Sequence, residues 1–299
     1  MNHNNESRPV GSAGPGPTGR TVVKPRGIVI DLFGDYLRYR GGSARLRDLT
    51  ALLECFGVGE STARVTLTRL RKEGWFSTEP DPSGRGVTYS LTEKSWRILD
   101  EGRERIFTRA ESEWGGVWHM VIYYVPEPER ALREQLRKEL SWLGFGALAA
   151  STWICPHDRL TTVEEKFAGI PAVRLDLLRA QSKGLTYDRD MAQRCWDLTE
   201  LNHDYVEFVE RYRQLMPRFR SGRMPAREAL VERTRLIQDY RKFPFRDPDL
   251  PTDLLPARWM GCEAHDLFLE ARGVLRTSAE GHVDTLLGPV GTQNAPGAV

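Results

Sequence analysis

The feature that most constrains the fold is a basic amphipathic segment near the N-terminus, residues 59–75 (GESTARVTLTRLRKEGW). At about 100° per residue, Ala63, Leu67 and Leu70 fall on one side of a helix, and hydroxyl and basic side chains fall on the other. Residues 64–72 include four basic side chains and no acid. The segment therefore predicts a helix with one side in a core and a polar, basic side facing outward.

Other predicted elements surround this helix in an informative order. An apolar-periodic run after Pro25 predicts a first helix, and leucines three and four positions apart predict a second over residues 46–56. After the basic helix, residues 75–78 and 87–91 predict two strands joined by a turn through residues 79–86. Three helices followed by a hairpin predict a winged helix-turn-helix, whose third helix enters the major groove of DNA.

The outward side of the third helix carries the candidate DNA contacts. Short hydroxyl side chains allow close approach to base edges, and Arg and Lys reach guanine or phosphate groups. An arginine in the hairpin turn would meet a phosphate or the minor groove. The predicted DNA-binding residues are Ser61, Thr62, Arg64, Thr68, Arg69, Lys72 and Arg85. An ordinary solvated surface is the alternative for an isolated basic helix, but the order of the neighbouring elements favours DNA binding.

Composition predicts a soluble globular protein with more than one domain. The 299 residues are 40% hydrophobic and 28% charged, which is typical of chains that build apolar cores. No run reaches the roughly 18 apolar residues of a membrane span, and no secretory signal is visible, so we expect a cytoplasmic, nucleoid-associated protein with no membrane partner. Residues 1–110 hold 18 basic and 13 acidic side chains, whereas the remainder holds 25 and 28. The basic excess therefore coincides with the predicted DNA-binding unit.

The predicted fold class is α+β, with three folded units between two tails. Residues 1–24 and 281–299 are rich in Gly, Pro and polar side chains, which predicts a disordered and a flexible tail. Residues 25–111 contain the winged helix-turn-helix and a linker helix. Residues 112–183 alternate strand and helix patterns and predict a small α/β unit with a mixed or antiparallel sheet. Residues 184–280 predict a helical C-terminal domain.

Several chemically suggestive residues have simpler structural interpretations. The cysteines lie far apart, without the spacing of a metal or redox site, and are interpreted as buried apolar residues. The sequence CPHD at residues 155–158 is interpreted as a strand exit with a turn, because a catalytic triad is assembled in space and not by adjacency. His119 lies in an apolar strand and is interpreted as a core or interface histidine. Residues 243–261, rich in Pro and aromatics, are interpreted as a packing strap, with a binding surface as the alternative.

Four groups of residues carry a resemblance to a known family. They are PR at 25–26 leading into LFGDY at 32–36, RVTLTRLRKEGW at 64–75, Trp118, and FPFRDP at 243–248 with LPTDLLP at 250–256 and Trp259. The last group is the most specific, because the helix-turn-helix alone would match many regulators. With these residues the chain resembles the PaaX family of bacterial repressors of phenylacetate degradation, across nearly everything between the tails.

This resemblance implies a winged helix, a central ferredoxin-like domain similar to small CRISPR-adaptation nucleases, and a helical C-terminal domain. It also implies a homodimer on an inverted-repeat operator in double-stranded DNA, released by an acyl- or aryl-CoA thioester such as phenylacetyl-CoA. No resident cofactor or metal is implied. A CoA phosphate site would need clustered basic side chains, and the candidates are Arg211, Arg218 and Arg220. Solvated helix faces are the alternative interpretation of these arginines.

The nuclease-like fold also raises the alternative of a metal-dependent nuclease. Those nucleases hold a divalent cation with an acidic residue at the end of the first strand, and metal-assisted phosphodiester hydrolysis needs such oxygen ligands. Here the corresponding strand ends at Val125, and no acid follows until Glu127. We therefore expect the central domain to be a scaffold or dimer interface, and the protein not to be an enzyme.

Overall fold

The computed structural model describes residues 24–81, 86–108 and 114–288. Predictions for the N-terminal tail, for Arg85 in the hairpin turn and for residues 289–299 therefore lie outside the described residues. The remaining chain folds into helices together with two small antiparallel sheets, in agreement with the predicted α+β class. In this part of the chain no helix is both long enough and apolar enough to cross a membrane.

The N-terminal unit contains four helices and a three-stranded sheet. In chain order they are α1 (Pro25–Asp35), β1 (Ser43–Arg45), α2 (Leu46–Glu54), α3 (Glu60–Lys72), β2 (Phe76–Pro80), β3 (Val87–Leu91) and α4 (Glu93–Phe107). The strands are antiparallel in the order β1-β3-β2. Gly57 and Gly74 have φ angles of 77° and 81°, a left-handed conformation that glycine adopts without steric cost. They allow the sharp reversals after α2 and α3.

The central unit has the element order βαββαβ. Its elements are β4 (Trp118–Tyr124), α5 (Arg130–Trp142), β5 (Gly146–Ala149), β6 (Thr152–Cys155), α6 (Leu160–Phe167) and β7 (Arg174–Ala180). The sheet is antiparallel in the order β5-β6-β4-β7, which agrees with the predicted sheet type. Helices α5 and α6 cover one face, where Val121, Leu136 and Val163 are fully buried.

The C-terminal region is helical. Its helices are α7 (Leu185–Cys195), α8 (Leu198–Arg220), α9 (Ala226–Tyr240) and α10 (Gly261–Leu287). Helix α10 continues seven residues into the segment predicted as a tail from residue 281. The helix persists there because Val283 is 1% exposed and Leu286 packs against the same core, so burial outweighs the local Gly-rich composition.

The N-terminal unit and helices α8 to α10 share one apolar core. Side chains from α1, α2 and α3 lie in the same cluster as those from α8, α9 and α10. The ring of Phe107, at the end of α4, stacks on Phe268 of α10 with centroids 5.7 Å apart. We call this assembly of α1 to α4, the first sheet and α8 to α10 the composite body. The two predicted domains are therefore joined by a common core.

The second face of the central sheet packs against α7 and the Pro-rich segment 243–261. Leu250 and Leu254 of that segment lie in one cluster with Trp118 and Ile154 of the sheet. The Trp118 indole N–H donates to Asp188 of α7 at 2.7 Å, with both side chains buried. At its other end the segment inserts Phe243 into the core of the composite body. It thus packs as a strap between the central unit and the composite body, in agreement with the interpretation of its sequence as a packing strap.

Candidate nucleic-acid interface

Helix α3 separates its two sides as the sequence predicts. Ala63, Leu67 and Leu70 are at most 1% exposed and anchor the helix in the shared core. The opposite side consists of exposed polar residues, namely Ser61, Thr62, Thr68, Arg69 and Lys72. These side chains are therefore available for contact with an external partner while the buried side holds the helix in place.

The basic residues of α3 differ in their ion pairing. Arg64 bonds Glu60, one turn earlier, with Nη2 and Oε1 2.6 Å apart, so part of its charge is already compensated. Arg69, Arg71 and Lys72 form no ion pair with any of the described residues. Within the described part of the chain, the last turn of α3 therefore presents three cations without an ion-pair partner.

Two residues of this surface were not among the predicted contacts. Arg71 is exposed beside Lys72, and Val65 is 62% exposed on the outward side. Arg71 lies at the edge of the outward stripe. Its place among the basic residues 64–72 could have identified it as a candidate contact. Val65 lies at the centre of the stripe, but its apolar character gave no reason to assign it a polar contact. An exposed methyl-bearing side chain suits the methyl group of thymine.

Two hydroxyl groups at the start of α4 bond the segment that follows α3. The Thr92 hydroxyl donates to the carbonyl of Gly74, and the Ser95 hydroxyl donates to the carbonyl of Trp75, each at 2.8 Å. Thr92 also caps α4 by accepting a hydrogen bond from the Ser95 backbone N–H. Because Gly74 and Trp75 follow α3 directly, these bonds tie the connection between α3 and β2 to the first turn of α4.

The hairpin that follows α3 is closed at its outer end. The backbone N–H of Asp81 donates to the carbonyl of Gly86 at 3.0 Å, and the Asp81 carboxylate pairs with Arg45 of β1 at 3.3 Å. Strand β3 lies between β1 and β2 and so connects the hairpin to the helical part of the unit. The base of the hairpin turn is therefore anchored to β1.

Each of the three predicted effector arginines is paired with a carboxylate. Arg211 pairs with Asp239 at 3.1 Å. Arg218 pairs with Glu228 of α9, whereas Arg220 pairs with Glu270 of α10. Sequence proximity suggested a cluster, but Arg211 and Arg218 pair with carboxylates of α9 and Arg220 pairs with one of α10. Each charge is compensated by its own carboxylate.

The central unit brings no catalytic group together among its suggestive residues. Cys155 is fully buried, and burial raises the pKa of its thiol to about 12. His157 instead contacts the carbonyl of Asp249 at 2.7 Å, and His119 lies 3.6 Å from the carboxylate of Asp158. Within the described ranges, no three His, Cys, Asp or Glu side chains are grouped so that they could hold a metal ion. The nuclease alternative gains no support.

Comparison of the chain with known protein families and proteins gives consistent matches. Three family models match in succession: "PaaX-like protein" over residues 24–95, "PaaX protein central Cas2-like domain" over 111–192 and "PaaX-like protein C-terminal domain" over 196–285. The chain is 33% identical over 257 residues to the transcriptional repressor PaaX of Escherichia coli (strain K12), covering 82% of this chain and 78% of that protein.

A solved structure has a similar fold. The uncharacterized protein Rv0674 from Mycobacterium tuberculosis matches with a TM-score of 0.56 at 22% identity, covering 87% of this chain and 96% of that one. The architecture is thus shared over almost the whole of the solved chain. Since the three models together span most of the sequence and a relative of one third identity covers four fifths of it, the protein belongs to the PaaX family.

Proposed function

We propose that this protein is a transcriptional repressor that binds a specific operator in double-stranded DNA through α3. The observation that carries the proposal is the outward side of α3, where uncompensated cations, hydroxyl groups and Val65 lie on a helix whose other side is fixed in a core. Such a surface offers both phosphate neutralisation and base contacts. The relative from Escherichia coli is named a transcriptional repressor, which supports the same function.

The element order supports a winged helix-turn-helix. In that arrangement α2 and α3 form the helix-turn-helix, α3 is the recognition helix, and the β2-β3 hairpin is the wing. The ion pair of Asp81 with Arg45 ties the hairpin to β1. Arg85, which lies outside the described residues, is the proposed contact of the wing with the DNA backbone. The βαββαβ order of the central unit likewise favours a ferredoxin-like scaffold, without catalytic activity.

The operator is expected to be an inverted repeat bound by a homodimer. Two recognition helices related by twofold symmetry would enter successive major grooves about 34 Å apart, which requires half-sites separated by whole helical turns. The protein would act at the nucleoid in the cytoplasm. A CoA thioester of an aromatic acid, such as phenylacetyl-CoA, would release the dimer from its operator.

The test measures operator affinity after single substitutions on α3. Arg69→Ala is expected to weaken operator binding by roughly 1 to 3 kcal/mol and to change which base is preferred, if Arg69 reads a base. Arg130→Ala, an exposed arginine of the central unit, is the matched control and should leave the affinity unchanged. A footprint or selection experiment without any sequence preference would overturn the proposal.

Lys72 is expected to behave differently from Arg69. As a phosphate contact, its replacement by alanine should lower affinity similarly on all sequences and reduce the slope of log K against log salt by about one unit. Lys138→Ala, on an exposed position of α5, provides the matched control. Equal, sequence-independent losses in the Arg69 and Lys72 variants would refute these separate roles.

A further inference from the structure

One ion pair joins two exposed side chains in the first two turns of α3. Arg64 donates from both Nε and Nη2 to a single carboxylate oxygen of Glu60, Oε1, at 3.0 and 2.6 Å. The Arg64 side chain is 56% exposed and that of Glu60 is 63% exposed. Because the two residues are four positions apart, they lie one helical turn from each other along one edge of the outward side. The pair is therefore part of the surface that the proposed function places against DNA.

The hydrogen bonds with Glu60 occupy one edge of the Arg64 guanidinium group and leave another edge free. The occupied edge consists of the Nε–H and one N–H of Nη2. No other described residue accepts a hydrogen bond from Arg64. The free edge, formed by Nη1 and the second N–H of Nη2, has the fork geometry that binds O6 and N7 of guanine. Glu60 thus restricts the orientation of a side chain that would otherwise contact phosphates and several different bases.

The carboxylate of Glu60 also retains an unused acceptor. Its second oxygen, Oε2, accepts no hydrogen bond from any of the described residues. In the major groove, a glutamate accepts a hydrogen bond from the N4 amino group of cytosine. The free edge of Arg64 and the free oxygen of Glu60 together therefore match the acceptors and the donor that G·C pairs present.

The charge of Glu60 is unfavourable for binding to DNA in general. Glu60 is the sole acidic residue among the 13 residues of α3, and it lies at the end of a recognition helix whose residues contact base edges. A carboxylate at this place is repelled by the phosphate groups of every sequence. Exposed ion pairs one turn apart contribute little to stability. A residue that opposes binding to all DNA, and stabilises the fold little, has its physical rationale in discrimination between sequences.

We propose that Glu60 is a specificity-determining residue of the operator contact and that it acts through Arg64. It positions the Arg64 guanidinium group for a guanine at one operator position, and its charge disfavours sequences that offer no matching donor. This inference rests on the proposed function, because it assigns a role to one residue of the DNA-binding helix. It goes beyond the sequence prediction, which named Arg64 as a DNA contact and gave Glu60 no role.

Binding of the full chain to operator variants tests the role of Glu60. The wild type and Glu60→Gln are compared on DNA in which each operator position carries every base in turn, and on DNA of unrelated sequence. The wild type should prefer guanine at one position by about tenfold or more, as a bidentate contact does. Glu60→Gln should reduce that preference several-fold and bind unrelated DNA several-fold more tightly, because a repelled charge is removed. A gain of affinity for unrelated DNA would also exclude misfolding as the cause.

Variants of Arg64 show whether Glu60 acts through it. Arg64→Ala should lose the preference at the same position, and the addition of Glu60→Gln should change that preference no further. Arg64→Lys keeps the charge but lacks the two edges of a guanidinium group, so it should lose the preference while it retains affinity for unrelated DNA. An equal effect of Glu60→Gln on base preference with and without Arg64 would overturn the proposed positioning role.

Asp190→Asn in α7 is the matched control for the loss of an exposed ion pair. Asp190 lies four residues before Arg194 and accepts from its Nε at 3.0 Å, with 66% and 57% of the two side chains exposed. This variant should bind operator and unrelated DNA as the wild type does. Wild-type base preference in Glu60→Gln, or an equal loss of its affinity on all sequences, would overturn the inference. A wild type without any sequence preference would refute the proposed function itself.

Discussion

The composite body and the central unit are connected by contacts of very different kinds. Within the composite body, helices from both ends of the sequence share one core, and the carboxylate of Asp35 in α1 pairs with Arg233 of α9 at 3.0 Å and with Arg272 of α10. The central unit is instead attached through the strap, α7 and the hydrogen bonds of Arg105. The first contact is a continuous interior. The second contains a cavity of about 370 Å³ lined by residues of α4, the end of α5 and the strap.

This difference indicates which part of the protein can move. Buried ion pairs in a packed core have few alternative arrangements, because separating them leaves charges without partners. A contact made through a strap and around a cavity costs less free energy to shift. We therefore expect the N-terminal unit and the C-terminal helices of the composite body to move together, and the central unit to be the part that changes position against them.

The largest effect is expected for Asp35→Asn. The substitution removes the charge that compensates two arginines, of which Arg233 is 1% exposed, and breaking a buried pair costs about 3 to 5 kcal/mol. Urea unfolding should show this loss in the free energy of unfolding. Asp176→Asn is the matched control, because that carboxylate is 53% exposed and pairs with Arg174 at 3.5 Å, where such pairs contribute about 1 kcal/mol or less. Similar losses in both variants would contradict the expectation that the buried ion pair contributes more to stability than the exposed one.

A smaller effect is expected for Asp188→Ala at the second face of the central sheet. The change leaves the buried indole N–H of Trp118 without its acceptor, and an unsatisfied buried donor costs about 1 to 3 kcal/mol. Hydrogen exchange should become faster in β4 and α7, while the core amides of α1 and α9 keep their protection. Equal loss of protection in α1 and α9 would mean that the two parts unfold as one unit.

The smallest effect is expected for Arg105→Lys at the cavity. A lysine keeps the charge but loses the planar fork that serves both the Pro244 and Trp142 carbonyls, which should cost about 1 kcal/mol. The stability measured by urea should change little, and hydrogen exchange should increase at residues 142–144. Arg103→Lys, at an exposed position of the same helix, serves as the control. No local change in exchange would show that Arg105 does not hold this contact.

The elements with strong local patterns were predictable from the sequence. Helix α3 follows from a 3.6-residue period over 13 residues, and its exposed and buried sides agree with that pattern. The central sheet followed from apolar runs separated by a helical pattern. The assignment of individual DNA contacts on α3 stays a prediction, because operator binding tests it and the fold does not.

What the sequence did not reveal depends on partners far along the chain. Strand β1 is three residues long, too short to have a period, and exists because it pairs with β3. The extension of α10 beyond residue 281 depends on burial against α2 and α9. Ion pairs of the arginines in α8 depend on carboxylates up to 50 residues away. Such features are set by tertiary packing, which local propensity does not encode.

The shared core also limits how this protein can diverge from its relatives. Because the core of α1 and α2 is shared with α9 and α10, the N-terminal unit is not an independent domain. A substitution at Asp31, for example, has to be tolerated by Arg241, which bonds it at 2.6 Å across 210 positions of sequence. Substitutions on the exposed side of α3 leave this core intact, whereas core residues at opposite ends of the chain have to change together.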